Sequence, residues 1–118
     1  MNTNEHWSAL FKALAEPLRL RMLHLLHEVP ELCVCDFVTI LGVPQSMVSR
    51  HLSYLRNAGW VTSRRDGVWI HYRLVTGPQS DPLQQEIIEA LCRHGSRDPT
   101  LHQDLIQLHA MERPPDRC

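Results

Sequence analysis

No apolar run in the sequence approaches the roughly eighteen residues that a membrane-spanning helix needs. The segment from Met1 to His6 is largely polar and no secretory signal pattern follows it, so we expect a cytoplasmic protein. The sequence also lacks internal repeats and low-complexity segments. Apolar residues make up 43% of the 118 residues, which fits an ordinary globular chain of one domain rather than a disordered one.

An excess of basic charge is also missing, since the formal net charge is −1, and this alone argues against nucleic-acid binding. The distribution of the charges reverses that argument. Residues 45–74 contain a single acid, Asp66, and carry +4, whereas the rest of the chain carries −5. Phosphate neutralisation supplies much of the affinity of DNA-binding proteins, so this basic segment favours a DNA-binding function. Its cations are Arg50, Arg56, Arg64, Arg65 and Arg73.

Cysteines are few, and two of the four form the sequence Cys33-Val34-Cys35. This spacing is too short for an easy, unstrained disulfide. In a reducing compartment such a pair indicates a metal or redox site rather than a structural crosslink.

Apolar periodicity predicts a mainly α protein with a small β-hairpin. Helices are expected around residues 7–14, 17–27 and 34–41, with a fourth from Pro44 to Asn57 and a fifth from Pro82 to His94. Alternating residues on either side of Asp66-Gly67 predict a two-stranded hairpin with these two residues as its turn. We assign residues 1–95 to one domain and residues 96–118 to a short helix and a flexible tail.

The third helix, a tight turn and the fourth helix predict a helix-turn-helix, and the following hairpin predicts its wing. The exposed face of the fourth helix is rich in hydrogen-bond donors and has no acid, as a helix in the major groove requires. Arg50 could bond guanine with two hydrogen bonds, and Gln45 could reach adenine. The predicted DNA-binding residues are Gln45, Ser46, Ser49, Arg50, Ser53, Tyr54, Arg64 and Arg65.

The sequence places Cys33 and Cys35 at the start of the third helix. Residues two apart on a regular helix point about 200° apart, so the pair would bind one ion only if the first turn unwound. We therefore predict that ligand binding reshapes this helix, which supports the recognition helix. Cysteine sulfurs without a nearby histidine or carboxylate select soft ions, and arsenic(III) or antimony(III) fits better than zinc. A third ligand is still needed.

These stretches resemble the ArsR/SmtB family of metal-responsive winged-helix repressors. The likeness is carried by residues 13–26, by ELCVCD at residues 31–36, which is similar to the metal-binding box of the arsenic-responsive branch, and by residues 45–61 with the hairpin. The resemblance implies a homodimer built from the N- and C-terminal helices that binds double-stranded operator DNA. It also implies release by arsenite or antimonite and no permanent cofactor. By position, it makes Cys33 and Cys35 the inducer ligands.

The sequence departs from several arsenic sensors of this family, which have a third cysteine two residues after the aspartate, where Val38 stands here. The third ligand could be Cys92, Cys118, a small thiol, water or an organic group on the arsenic. Cys92 falls on an apolar helix face, which favours a buried structural role.

Two other functions are compatible with the sequence. One is a thiol redox sensor on the same fold, and the other is a winged helix that binds proteins and has structural cysteines. We do not expect an enzyme, because no set of nucleophile, general base and oxyanion donors can be assembled from the sequence.

Overall fold

The computed structural model describes residues 2–111, which form six α-helices, a short 3₁₀ turn and a three-stranded antiparallel sheet with strand order β1-β3-β2. The predicted mainly α winged helix-turn-helix is confirmed. Within these residues no helix has the length and apolar character that crossing a membrane requires. The elements are α1 Thr3–Leu14, α2 Pro17–Glu28, β1 Leu32–Cys33, α3 Val34–Leu41, α4 Gln45–Asn57, β2 Val61–Asp66, β3 Trp69–Leu74, the 3₁₀ turn Gly77–Gln79, α5 Pro82–Gly95 and α6 Pro99–Ala110.

The turn between α3 and α4 is fixed by its local sequence. Gly42 ends α3 in the left-handed region with φ of 68°, and its N–H bonds the carbonyl of Val38. We expected Pro44 to be the first residue of α4, but it is the N-cap of that helix. The apolar stripe of α4 is fully buried, which holds the helix against the core and leaves its polar face outward: Val48, Leu52 and Leu55.

The hairpin differs from the prediction in its turn. Asp66 pairs with Trp69, so the two turn residues are Gly67 and Val68 rather than Asp66 and Gly67. Gly67 has φ of 63°, which a glycine adopts without strain at the first central position of a tight hairpin turn.

Strand β1 was not predicted from the sequence. Leu32 pairs with Tyr72 and Cys33 pairs with His71, so this two-residue strand extends the hairpin to three strands. The segment directly before α3 is therefore part of the wing sheet.

Trp60 ties the hairpin to the helical core. Its side chain is fully buried, and its indole N–H donates to the carbonyl of Leu10 in α1 at 3.0 Å. The core that contains it is built mainly by α1, α2, α3 and α4. The sheet and the last two helices add Leu32, Val61, Tyr72, Ile88 and Leu108.

Helix α6 packs on α2 through a buried ion pair. Arg21 of α2 donates two hydrogen bonds of 2.9 Å to the carboxylate of Asp104, whose side chain is only 3% exposed. Leu101 and Leu108 are buried beside it. The structure thus places this helix, predicted as a short C-terminal element, against α2 and α3.

We expect Asp104→Ala to lower the free energy of unfolding by about 3 kcal/mol, because it leaves Arg21 mostly buried without its partner. Urea denaturation would measure this change. The matched control, Arg21→Met with Asp104→Leu, removes both charges and should recover most of the loss. A change below about 0.5 kcal/mol in Asp104→Ala, the scale of ordinary surface substitutions, would contradict this account of the pair.

Candidate inducer site and nucleic-acid interface

Cys33 and Cys35 lie together at the junction of β1 and α3. Cys33 is fully buried, ends β1 and is the N-cap of α3 in an extended conformation, whereas Cys35 is half-buried in the first helical turn. Their Sγ atoms are 2.7 Å apart. The predicted separation of about 200° was therefore wrong, because it assumes that both residues are helical. The two sulfurs face each other while α3 is intact, and the helix need not unwind to bring them together.

A carboxylate, which sequence analysis did not expect here, completes the local cluster. Asp36 accepts a hydrogen bond from the backbone N–H of Cys33 at 3.2 Å, and its Oδ2 lies 3.4 Å from Cys33 Sγ. The ligand atoms of Cys33, Cys35 and Asp36 all lie within 4.8 Å of one another. Because Asp36 caps α3 and also stands beside the sulfurs, it fixes the position of Cys33. Two adjacent sulfurs can hold a soft, thiophilic ion.

The predicted alternatives for the third ligand are placed differently. Cys92 is not part of the cluster, and burial together with the charge of Glu28 raises the pKa of its thiol to about 11. Cys118 lies outside the described residues, so its role as a third ligand remains a prediction.

We expect Cys92 to react with iodoacetamide about 100-fold more slowly than an ordinary thiol near neutral pH, because a pKa of about 11 rather than 9 leaves a hundredth of the thiolate. Mass spectrometry of a variant in which Cys92 is the only cysteine would give the rate. A rate equal to that of glutathione would show that the thiol is neither buried nor poorly ionised.

The outward face of α4 carries most of the predicted DNA-binding residues. Gln45, Ser46 and Arg50 are exposed, and Ser49 and Ser53 are half-buried. No acidic residue occurs in the helix. The face therefore offers hydrogen-bond donors to an anionic partner without local repulsion.

Tyr54 has a structural contact that the sequence did not indicate. The guanidinium carbon of Arg19 lies 4.1 Å from the centre of the Tyr54 ring, and Arg19 Nη1 lies 3.1 Å from His51 Nδ1. Arg19 also donates to the carbonyl of Ala13 at 2.6 Å. Burial, followed by the charge of Arg19, lowers the pKa of His51 and favours its neutral form. This arginine thus braces α4 against α1 and α2, while Tyr54 keeps 44% of its surface exposed.

The two wing arginines have different environments. Arg65 is exposed, and the only hydrogen bond of its side chain among the described residues is a long one of 3.4 Å to the carbonyl of Gly67. Arg64 instead donates two hydrogen bonds to the carboxylate of Glu31. These bonds hold the pKa of Glu31 below its usual range. In this conformation Arg64 is neutralised by Glu31, a partner that sequence analysis missed.

The chain is similar to a known protein family and to several of its members. Residues 16–63 match the family model described as bacterial regulatory protein, arsR family. The chain is 51% identical over 65 residues to the arsenical resistance operon repressor of Escherichia coli, an alignment that covers 55% of this chain and 56% of that protein. The chain therefore spans about half the length of this relative.

Two further matches cover more of the chain. The arsenical resistance operon repressor of Bacillus subtilis is 34% identical over 88 residues, which cover 75% of this chain and 84% of that protein. The crystal structure of the AntR antimony-specific transcriptional repressor is similar with a TM-score of 0.64 and 34% identity, covering 79% of this chain and 80% of the other.

Proposed function

The chain belongs to the ArsR family of bacterial regulatory proteins, and on this basis we propose that it is a transcriptional repressor released from operator DNA by arsenite or antimonite. Cys33 and Cys35 bind the metalloid in this proposal. The observation that carries it is the 2.7 Å separation of their Sγ atoms at the start of the helix-turn-helix. The relatives named for arsenical resistance and for antimony support the choice of metalloid.

The donor set favours a soft trivalent metalloid over other ions. Among the described residues no imidazole belongs to the cluster of Cys33, Cys35 and Asp36. Two sulfurs are poor ligands for magnesium or calcium, and zinc would require four ligands. Asp36 already accepts the capping hydrogen bond from Cys33, so it serves the geometry of the pair. A trivalent arsenic has room for a third sulfur, which we assign to Cys118 or to a small thiol from solution.

Operator binding is assigned to α4 and the wing. The exposed face of α4 enters the major groove, with Arg50 and Gln45 contacting bases and Ser46, Ser49 and Ser53 contacting bases or phosphates. Tyr54 lies at the edge of this face, and Arg65 contacts the DNA backbone from the wing. Arg64 positions the wing through Glu31.

We assign a homodimer to this function. Trp7 and Phe11 on α1 are 40% and 50% exposed, an apolar surface suited to a second copy of the chain. A dimer built from α1 and α5 would present two α4 helices to half-sites about one DNA turn apart.

A reporter assay tests the proposed function. The chain should repress transcription from its own upstream promoter in a host without an arsenic repressor, and arsenite or antimonite should restore expression. Cadmium and zinc serve as matched ions of other chemistry. Repression that neither arsenite nor antimonite relieves would refute the metalloid response, whatever cadmium and zinc do. An absence of repression would refute the repressor.

The same sulfur–sulfur contact supports a second candidate function, a redox-sensing repressor. Peroxide can join two thiols whose sulfurs are 2.7 Å apart in one strained S–S bond, and both thiol hydrogens leave in the two waters formed from the oxidant. Release of DNA by peroxide, reversed by a simple dithiol and obtained without metalloid, would favour this function over the first.

A further inference from the structure

One cysteine of the proposed metalloid site lies on the same face of the sheet as two residues of the wing. Cys33 of β1 pairs with His71 of β3, and His71 pairs with Arg64 of β2. Side chains of directly paired residues lie on the same face, so these three form a row across all strands. Glu31 precedes Cys33 by two residues and falls on the same face by the alternation of an extended chain. The row connects a proposed metalloid ligand to the wing within three residues.

Glu31 joins this row through an ion pair with Arg64 and a contact with His71. Its carboxylate accepts two hydrogen bonds from Arg64, one of them 3.1 Å long from Nε, and lies 3.8 Å from His71 Nδ1. The side chain of Glu31 is 28% exposed and that of His71 is 9% exposed. Partial burial strengthens such contacts relative to those on an open surface.

His71 itself is held weakly by hydrogen bonds. Its Nε2 atom is buried and has no hydrogen-bond partner among the described residues. The position of the ring is therefore set by packing and by its contact with Glu31. Within the described part of the chain, no hydrogen bond of Nε2 opposes a movement of the ring when Glu31 is displaced.

Insertion of a metalloid must change the geometry of Cys33. Two bonds of at least about 2.3 Å, the length of a zinc–sulfur bond, that meet at roughly a right angle place the sulfurs about 3.3 Å apart. In the structure the two sulfurs are 2.7 Å apart, inside the ordinary contact distance of two non-bonded sulfurs, so a metalloid bonded to both would hold them at a larger separation. Cys35 is fixed in α3 and Cys33 is fixed in the sheet, so the displacement acts across the junction of α3 with the wing.

We propose that the Glu31–Arg64 ion pair is the positioning link through which a metalloid at Cys33 and Cys35 moves the wing. This inference rests on the proposed function and adds a route for its regulation. Glu31 moves with the strand that carries Cys33, Arg64 follows Glu31, and β2 and β3 shift with Arg64. The signal reaches DNA through the wing as well as through α3 and α4.

The test combines a wing signal with DNA affinity. Phenylarsine oxide is the probe, because its arsenic already carries one carbon and requires only two sulfurs. The indole N–H signal of Trp69 reports on the wing and is assigned with Trp69→Phe. The variants are Glu31→Gln, Arg64→Gln and the double variant. Arg65→Gln is the matched control, since it removes the same charge from the same strand on the opposite face.

We expect the probe to shift the Trp69 signal in the parent protein and to lower its DNA affinity. In Glu31→Gln, Arg64→Gln and the double variant, the shift should fall by at least about half. The probe-induced loss of DNA affinity should also become about fivefold smaller, which is the low end of measured couplings. In the double variant both responses should be no smaller than in either single variant, because the two substitutions break the same contact. Arg65→Gln should bind DNA more weakly and keep both responses.

The outcomes separate the link from the function. Release of DNA by the probe with an unmoved Trp69 signal, or a full response in Glu31→Gln, would overturn the link and leave the repressor function standing. A Trp69 signal that moves while DNA affinity does not would overturn the proposed function and support the link. Failure of the probe to bind Cys33 and Cys35 would overturn both.

Discussion

Cys33→Ser combined with Cys35→Ser should abolish release by arsenite while DNA affinity in its absence stays within about twofold of the parent protein. Coupling between two sites in one protein commonly amounts to a factor of about 5–150, and we expect this whole factor to be lost. Serine at position 33 preserves the fold for a specific reason. Cys33 is the N-cap of α3, and serine is a preferred N-cap whose hydroxyl can accept the N–H of Asp36.

The control for this prediction is Cys92→Ser. Cys92 is outside the cluster and is poorly ionised, so this variant should be released by arsenite as readily as the parent protein. Anisotropy of labelled upstream DNA, with and without arsenite, measures both variants, and thermal unfolding shows that each is folded. A double-serine variant that arsenite still releases would move the inducer site elsewhere.

The second large effect is the salt dependence of DNA binding. If the proposed dimer presents four exposed arginines from each protomer, raising the salt concentration from 50 to 200 mM should weaken binding about 10⁴-fold, because displaced counterions give a slope near −0.9 for each phosphate neutralised. The arginines counted are Arg50, Arg56, Arg65 and Arg73. Arg64 is left out because Glu31 neutralises it.

Arg50→Gln should in addition weaken specific binding by about 5–150-fold at constant salt, the range expected for one good base contact. Arg93→Gln on α5 removes the same charge far from α4 in the sequence and should leave the specific affinity and the slope nearly unchanged. Binding that ignores salt, or an absence of DNA binding, would favour the winged helix that binds proteins.

Most of the fold was predictable because its signals are local. The apolar stripe of α4, the glycine that ends α3 and the alternation along β3 are each readable within about a dozen residues. These signals predicted the helix-turn-helix and the wing. The predicted position of the hairpin turn was wrong by one residue, because both Asp66-Gly67 and Gly67-Val68 contain a glycine that suits a tight turn.

The geometry of the cysteine pair could not be predicted from periodicity. Strand β1 contains two residues and exists only because it pairs with β3, some 40 residues later in the chain. One local signal could have placed Cys33 outside the helix. Asp36 stands three residues after it, as in a capping box, and a cysteine at the N-cap position is easily overlooked.

The two ion pairs between distant parts of the chain also could not be predicted from the sequence. Arg64 and Glu31 are 33 residues apart, and Arg21 and Asp104 are 83 apart, so only the folded chain brings them together. A basic residue in a predicted wing suggests phosphate contact, and nothing in its neighbourhood indicates that a carboxylate has already bound it.

The most direct test of the proposed function is a fluorescence-anisotropy titration of the reduced protein on its own upstream DNA, with and without arsenite. We predict tight, salt-sensitive binding, and we expect arsenite to lower the DNA affinity by a factor of at least about five. Tight binding that arsenite leaves unchanged would contradict the assignment of Cys33 and Cys35 as inducer ligands.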